Sequence, residues 1–239
     1  MAAENLRKVK ILVLGDTGVG KTSLVHLICH GEVLSSLSWT IGCSVDVKLH
    51  DFGPSTSTSS SYFLELWDVG GSPSHKRGRQ IFYQNANGLI LVHDLTNRKS
   101  HSHLSKWLNE FHQSQSRSGK PFNLDTTLSL DPELFADQEI PVLIVGTKKD
   151  LVKISSGKPS TGSSLTGAAC VNVDCTDVRQ FSVDSQENVQ LNKFFDKVLE
   201  RRFLSSTPSP SIPGYSSVPS SSERHRTIVK SSRTATNPP

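Results

Sequence analysis

The stretch Gly15-Asp16-Thr17-Gly18-Val19-Gly20-Lys21-Thr22 leaves this chain the fewest choices of fold. It matches G-x-x-x-x-G-K-[ST], with an aliphatic strand pattern, Val9 to Leu14, running into it and a helix pattern, Lys21 to His30, leaving it. Strand, glycine loop and helix in that order form a cradle for phosphate. Gly18 and Gly20 let the backbone curl so that successive N–H groups point inward, and the helix start adds partial positive charge. Lys21 brings a mobile cation, and the Thr22 hydroxyl is a hard oxygen suited to Mg²⁺. Asp16, Thr17, Gly18, Val19, Gly20, Lys21, Thr22 and Ser23 are therefore expected to line bound phosphates. An ordinary strand-to-helix turn has no need for a Gly-Lys-Thr triplet at this spacing.

The pattern downstream fixes the fold class. In the helix, Leu24, Leu27 and Ile28 make a core-facing stripe and Gly31 is a natural stop. Cys43 to His50 and Tyr62 to Trp67 read as an antiparallel hairpin. Strands at Gly88 to Asp94, Pro141 to Gly146 and Ala169 to Asp174 alternate with helices at Leu104 to Phe111 and Gln190 to Phe203. This alternation predicts an α/β fold, a six-stranded and mostly parallel sheet with helices on both faces. Leu191, Phe194, Phe195 and Val198 are expected to pack the last helix into the core.

Polar stretches at Ser55 to Ser61, Gln113 to Gln138 and Lys153 to Thr166 are rich in Ser, Thr and Gly and read as mobile loops. Residues 1–204 are expected to form the folded domain. Residues 205–239, dominated by Ser and Pro, cannot offset their ordering entropy and are expected to be a disordered tail. That tail carries Arg224, Arg226, Lys230 and Arg233 against Glu223, which is +3 of the formal +4. The nearly neutral folded part gives no electrostatic case for nucleic acid. Apolar runs of about four residues fall far short of the roughly 20 a membrane helix needs, and no secretory leader is evident. A cytoplasmic protein with four free cysteines as packing residues follows from this reading.

A phosphate loop does not name the base, so ATPases, nucleotide kinases and GTPases all satisfy it. Thr147-Lys148-Lys149-Asp150 follows an apolar strand, and the Asp150 carboxylate is a two-point acceptor for guanine's N1–H and exocyclic amine. Adenine offers no such donor pair. Thr-Lys-x-Asp alone would equally describe a capped turn, but its order after the phosphate loop makes it specific.

Across Val9 to Phe203 the chain resembles a Ras-superfamily small GTPase. Trp39-Thr40-Ile41-Gly42 resembles the first switch, whose threonine, here Thr40, closes on Mg²⁺ and the γ-phosphate of GTP. Leu66-Trp67-Asp68-Val69-Gly70-Gly71 resembles the second, where Asp68 would hold Mg²⁺ through water and the Gly71 N–H would meet the γ-phosphate. Asp174-Cys175-Thr176 falls where the family has its last base-contacting loop, with the Cys175 N–H facing guanine O6. The resemblance therefore implies GTP/GDP and Mg²⁺ as ligands, with Thr147, Lys148, Asp150, Asp174 and Cys175 around the base and Thr22, Thr40 and Asp68 around the metal.

Departures from the family limit what carries over. Ser72 stands where active members place the glutamine that orients attacking water, so hydrolysis is expected to be slower than the family's already slow rate of about 10⁻⁴ s⁻¹. Val33 replaces an aromatic that packs on the base, and Asp174 replaces a serine. The chain ends Thr-Ala-Thr-Asn-Pro-Pro without a cysteine after Cys175, so no prenyl anchor and at most peripheral membrane contact are expected. The combination of Trp-Thr-Ile-Gly-Cys-Ser-Val, Trp-Asp-Val-Gly-Gly-Ser, Val-His-Asp-Leu-Thr and Asp-Cys-Thr is most similar to the Rab-like protein 3 subfamily. That resemblance implies an atypical, unprenylated GTP-binding protein with regulators or effectors at its switch loops, homodimerisation through the switch surface, and in some members control of other Ras-type GTPases. A scaffold that binds nucleotide with negligible turnover is the alternative. His75, Lys76, Arg77 and Arg79 read as a solvated basic run or a contact for an acidic partner, with an internal arginine finger as the sharper reading.

Overall fold

Alternation along the first strand explains how the chain builds two layers of helix around one sheet. In the computed structural model, which describes residues 7–36, 38–53, 60–115, 140–152 and 168–204, β1 is Lys8–Leu14. Val9, Ile11 and Val13 enter one core and Leu12 and Leu14 the other. Both sets are essentially solvent-free because β1 has parallel neighbours on either side. The remaining strands are β2 (Cys43–Phe52), β3 (Ser60–Val69), β4 (Gly88–Asp94), β5 (Val142–Thr147) and β6 (Ala169–Asn172). Their order is β2-β3-β1-β4-β5-β6, with β2–β3 the antiparallel pair and every other pair parallel.

Helix α1 (Lys21–His30) has the predicted bounds because glycines close it at both ends. Gly20 precedes it with φ 92° and Gly31 follows with φ 69°, donating its N–H to Leu27 O. Two short helices, α2 (Lys76–Arg79) and α3 (Arg98–Ser102), lead to α4 (Leu104–Gln115). The last helix, α5 (Gln186–Leu199), is followed by a wider turn over Glu200–Leu204. It starts four residues before the expected Gln190, since the Ser185 hydroxyl accepts from Asn188 N at 3.1 Å and caps an earlier first turn. Removing that cap in Ser185→Ala is expected to cost about 1 kcal/mol, read as a lowered urea midpoint with unchanged slope.

One core packs α1 and α5 through Leu24, Ile28, Leu191, Phe194 and Phe195. The other packs α4 through Leu104, Trp107, Leu108 and Phe111. The hairpin is two residues longer at each tip-side end than its sequence pattern, and residues 54–59 between its strands lie outside the described residues. So do residues 116–139 and 153–167, which hold most of the expected mobile loops, and the whole of the expected tail, 205–239. The four cysteines are free, and burial pushes the thiols of Cys29 and Cys175 up to about 12 and that of Cys43 to about 11. Such thiols stay protonated and serve as packing groups. Among the described residues no helix is long and apolar enough to cross a membrane.

Candidate functional site

The C-terminal ends of the parallel strands converge where the strand order reverses, with β1 feeding the glycine loop and β5 feeding Thr147 to Asp150. A cavity of about 680 Å³ opens there. Its wall includes Gly18, Gly20, Lys21 and Thr22 from the loop, Thr40 and Gly71 from the two switch-like segments, and Lys148 and Asp150 at the far end. Thr17, Ser23, Thr147 and Cys175 also face it. Residues separated by more than 120 positions in sequence thus share one cleft.

Lys21 is buried, and its Nζ lies 3.0 Å from Gly15 O and 2.8 Å from Asp16 O. Burial lowers its pKa to about 8 against the opposing pull of Asp68 and Asp16. A desolvated ammonium held only by carbonyls is matched to an incoming phosphate anion. Beside it, Thr22 Oγ1 donates to Asp68 Oδ2 at 2.6 Å, Thr40 Oγ1 reaches the same oxygen at 3.1 Å, and the two hydroxyls are 3.0 Å apart. Asp68 is solvent-free, and its other oxygen, Oδ1, has no hydrogen-bond partner. An orphaned buried carboxylate oxygen beside two hydroxyls fits a hard divalent cation. Among the described residues there is no cluster of three or more His, Cys, Asp or Glu to hold a metal. The donor set therefore suits an ion that takes its remaining ligands from phosphate and water.

Gly71 sits against the phosphate loop so closely that a Cβ there would lie 2.5 Å from Gly15 O and 2.6 Å from Asp16 C and Thr17 N. Only glycine allows that approach. The neighbouring Gly70 N–H donates to Gly42 O at 2.9 Å, which joins the two switch-like segments directly.

At the far end, Thr147 Oγ1 lies within reach of both Val19 O and His93 O, tying β5 to the phosphate loop and β4 with a single hydroxyl proton. Lys148 has φ 59°, a left-handed conformation unusual for lysine. Its Nζ pairs with Asp94 Oδ2 at 2.7 Å. Burial alone would raise the Asp94 pKa, but the bonds from Lys148 and Thr96 outweigh it and lower it. Asp150 stands exposed at the cavity wall.

Several expected site residues have other partners for their side chains. The Asp16 carboxylate accepts from Trp107 Nε1 at 2.8 Å and pairs with His103 Nδ1 at 2.7 Å, so only its backbone remains for a phosphate. Val19 is buried in the core. Asp174 Oδ1 accepts from Thr176 N at 2.7 Å and Thr176 Oγ1 at 2.6 Å, because an aspartate two residues before a free N–H closes its own turn. That turn presents Cys175 and Thr176, not the Asp174 carboxylate, to the cavity.

The basic run is corrected at Arg79. Lys76 and Arg77 are exposed, but Arg79 is buried, with Nε and Nη2 forked onto Glu110 at 2.6 and 2.7 Å. It is neither solvated nor free to act as a finger. The sequence signal for this pair was Glu110 itself, an acid on the apolar stripe of α4, which has to find a cation. The cavity also includes Val33 and Ser72, which the resemblance placed there, and Leu34, Ser38, Trp39 and Leu151, which the motif spacing did not single out.

Comparison with known proteins agrees with this geometry. The family model for the Ras of Complex (Roc) domain of DAPkinase matches residues 10–123. Rab-like protein 3 of Xenopus tropicalis is 46% identical over 224 residues, covering 89% of this chain and 92% of its own. The Homo sapiens Rab-like protein 3 is 44% identical over 214 residues, with 84% and 88% covered. Small GTPase LIP1 of Arabidopsis thaliana is 33% identical over 251 residues, with 91% of this chain and 69% of its own covered. With the six-stranded fold and the cleft at its strand ends, these identities show that the chain belongs to the Ras-superfamily small GTPases, in the Rab-like protein 3 family.

Proposed function

We propose that the protein is a regulatory GTP- and GDP-binding switch that works with Mg²⁺ and turns nucleotide over slowly. The observation that carries this reading is the meeting of Thr22, Thr40 and Asp68 beside Lys21 in a cleft that ends at Asp150. Lys21 and the loop N–H groups bind and orient the outer phosphates, and Asp150 selects the base. Mg²⁺ held by Thr22, Thr40 and Asp68, directly or through water, would neutralise charge on those phosphates. Thr40 makes the first switch segment sensitive to the nucleotide, since its hydroxyl belongs to the same oxygen cluster that the phosphates complete.

Ser72 supports slow hydrolysis. It follows Gly71 at the cavity wall and carries a side chain too short to hold a water in line. For partners, Trp39 and Ile41 are more than four-fifths exposed next to Thr40, Val45 and Val47 are exposed a few residues on, and Ile81 is exposed after the second switch-like segment. Large apolar side chains around a nucleotide-sensitive segment support a protein regulator or a second copy of this chain as partner. The negligible-turnover scaffold remains the second reading, favoured by the same Ser72.

The test begins with mass identification of the nucleotide that co-purifies with the full chain. Guanine nucleotide is expected, and its loss is expected in Lys21→Ala. Adenine nucleotide would overturn the reading of the base. Single-turnover cleavage of GTP in Mg²⁺, compared with EDTA and with buffer alone, then separates switch from scaffold: a magnesium-dependent rate above buffer supports the switch, and a rate equal to buffer supports the scaffold.

A further inference from the structure

Lys148 lines the cavity, yet its charge is engaged outside it. Its Nζ lies 2.7 Å from Asp94 Oδ2, and Asp94 is not among the residues of the cavity wall. Asp94 is 7% exposed at the end of β4, and its other oxygen, Oδ1, accepts from Thr96 N at 2.8 Å and Thr96 Oγ1 at 2.6 Å. Its backbone is held as well. The Asp94 N–H donates to the hydroxyl of buried Ser100 at 3.0 Å, and its carbonyl accepts from Asn97 N at 2.9 Å. The turn after β4 therefore sets the carboxylate in place and leaves Oδ2 for Lys148.

The lysine is fixed at its other end by the main chain. Lys148 has φ 59°, and bonds on both sides hold that turn: Leu95 N donates to Thr147 O at 3.1 Å, Lys149 N to Val173 O at 3.3 Å and Leu151 N to Lys148 O at 3.1 Å. A side chain tied at both ends, from β5 to β4, leaves its methylene stem as the part that meets the cavity. Burial would raise the Asp94 pKa, but the bonds from Lys148 and Thr96 outweigh it and lower it, so the acid stays ionised near neutral pH and keeps its cation. Two residues on, Asp150 lines the same cavity. A lysine without Asp94 would find Asp150 as the next acid along the chain, and pairing there would occupy the acceptor that reads the base.

We propose that Asp94 is a positioning residue for base recognition: it draws the Lys148 ammonium away from Asp150 and lays the lysine stem along the cleft as an apolar surface for the face of the purine. In this role Asp94 acts through Lys148, with no contact of its own to the nucleotide. Lys148 contributes its stem, and its charge serves to anchor it. The inference rests on the reading of Asp150 as the guanine-selecting acid given above.

Release of fluorescently labelled GDP and inosine diphosphate from the full chain in Mg²⁺, beside a urea curve for each variant, tests it. Inosine diphosphate lacks the exocyclic amine, so wild type is expected to hold GDP tighter by about tenfold or more, the worth of one charge-assisted hydrogen bond. Asp94→Asn keeps the shape of the side chain and an acceptor for Thr96. It is expected to speed GDP release by about tenfold and to cut the preference for GDP by about fivefold, as befits loss of one coupled contact. Adding Lys148→Met to Asp94→Asn removes the loose cation and is expected to recover most of both losses. Disturbed packing around Thr96 would instead weaken both nucleotides alike and would not respond to residue 148. Asp94→Asn that folds, binds GDP and changes release and preference by less than about twofold, the scatter expected of uncoupled sites, overturns the proposal. So does a double variant as defective as Asp94→Asn alone. A second pair of variants does not depend on Asp94→Asn folding. Lys148→Ala, which deletes the stem, is expected to release GDP about fivefold faster than Lys148→Met, which keeps one, and equal rates overturn the proposal. Loading of wild type is verified by mass first. Wild type that holds the two nucleotides equally overturns the guanine reading of Asp150 and the proposal with it, a result distinct from an unresponsive Asp94.

Discussion

Asp150→Ala is expected to weaken guanine nucleotide binding by about 3–5 kcal/mol, roughly 10²- to 10⁴-fold in Kd, with the fold intact. The carboxylate stands at the cavity wall after β5, in a segment that Thr147 ties to the phosphate loop and that Lys148 ties to Asp94. Two charge-assisted hydrogen bonds at about 1.5–3 kcal/mol each set the size of the loss. Because Asp150 is exposed, its removal leaves no buried group unpaired and should scarcely move the urea midpoint. Titration with a fluorescent guanine nucleotide beside a denaturation curve measures both. Unchanged affinity would mean that the base is read elsewhere in the cleft, and a large loss of stability would mean that Asp150 holds the fold.

Glu110→Ala is expected to destabilise the protein by about 3–5 kcal/mol, the largest effect on folding foreseen for any single change considered. Arg79 and Glu110 are 5% and 6% exposed, so deleting the acid strands a cation in the core and removes the acceptor of the Tyr83 hydroxyl. The double change Arg79→Met with Glu110→Leu should recover most of the loss, since apolar residues of similar volume carry no desolvation cost. Urea unfolding of the two singles and the double closes the cycle. If Glu110→Ala alone is within about 1 kcal/mol of wild type, water reaches the guanidinium and the pair is not the anchor described.

The two experiments probe different kinds of information. The place of Asp150 at the cleft was legible because an acid follows a strand at a fixed offset from a Thr-Lys pair, and local order carries it. Glu110 carried only a hint, an acid where periodicity asks for an apolar residue. Its partner 31 positions earlier is set by how α4 lies across the chain after Gly71. Asp174 shows the opposite failure: a motif position was read as facing the ligand, but the shorter route for its carboxylate is the N–H two residues on.

By itself the sequence determined the alternation of strand and helix, the glycines that end α1, the phosphate loop and the order of the segments that follow it. Those are effects of period, propensity and backbone freedom, which act over a few residues and leave their mark in the string. The resemblance already grouped Thr22, Thr40 and Asp68, but only the tertiary structure decided that the Asp16 carboxylate turns to α4 and that Arg79 lies inside. These depend on packing between segments distant in the chain, where burial forces each charge and donor onto whichever partner the fold brings within about 3 Å.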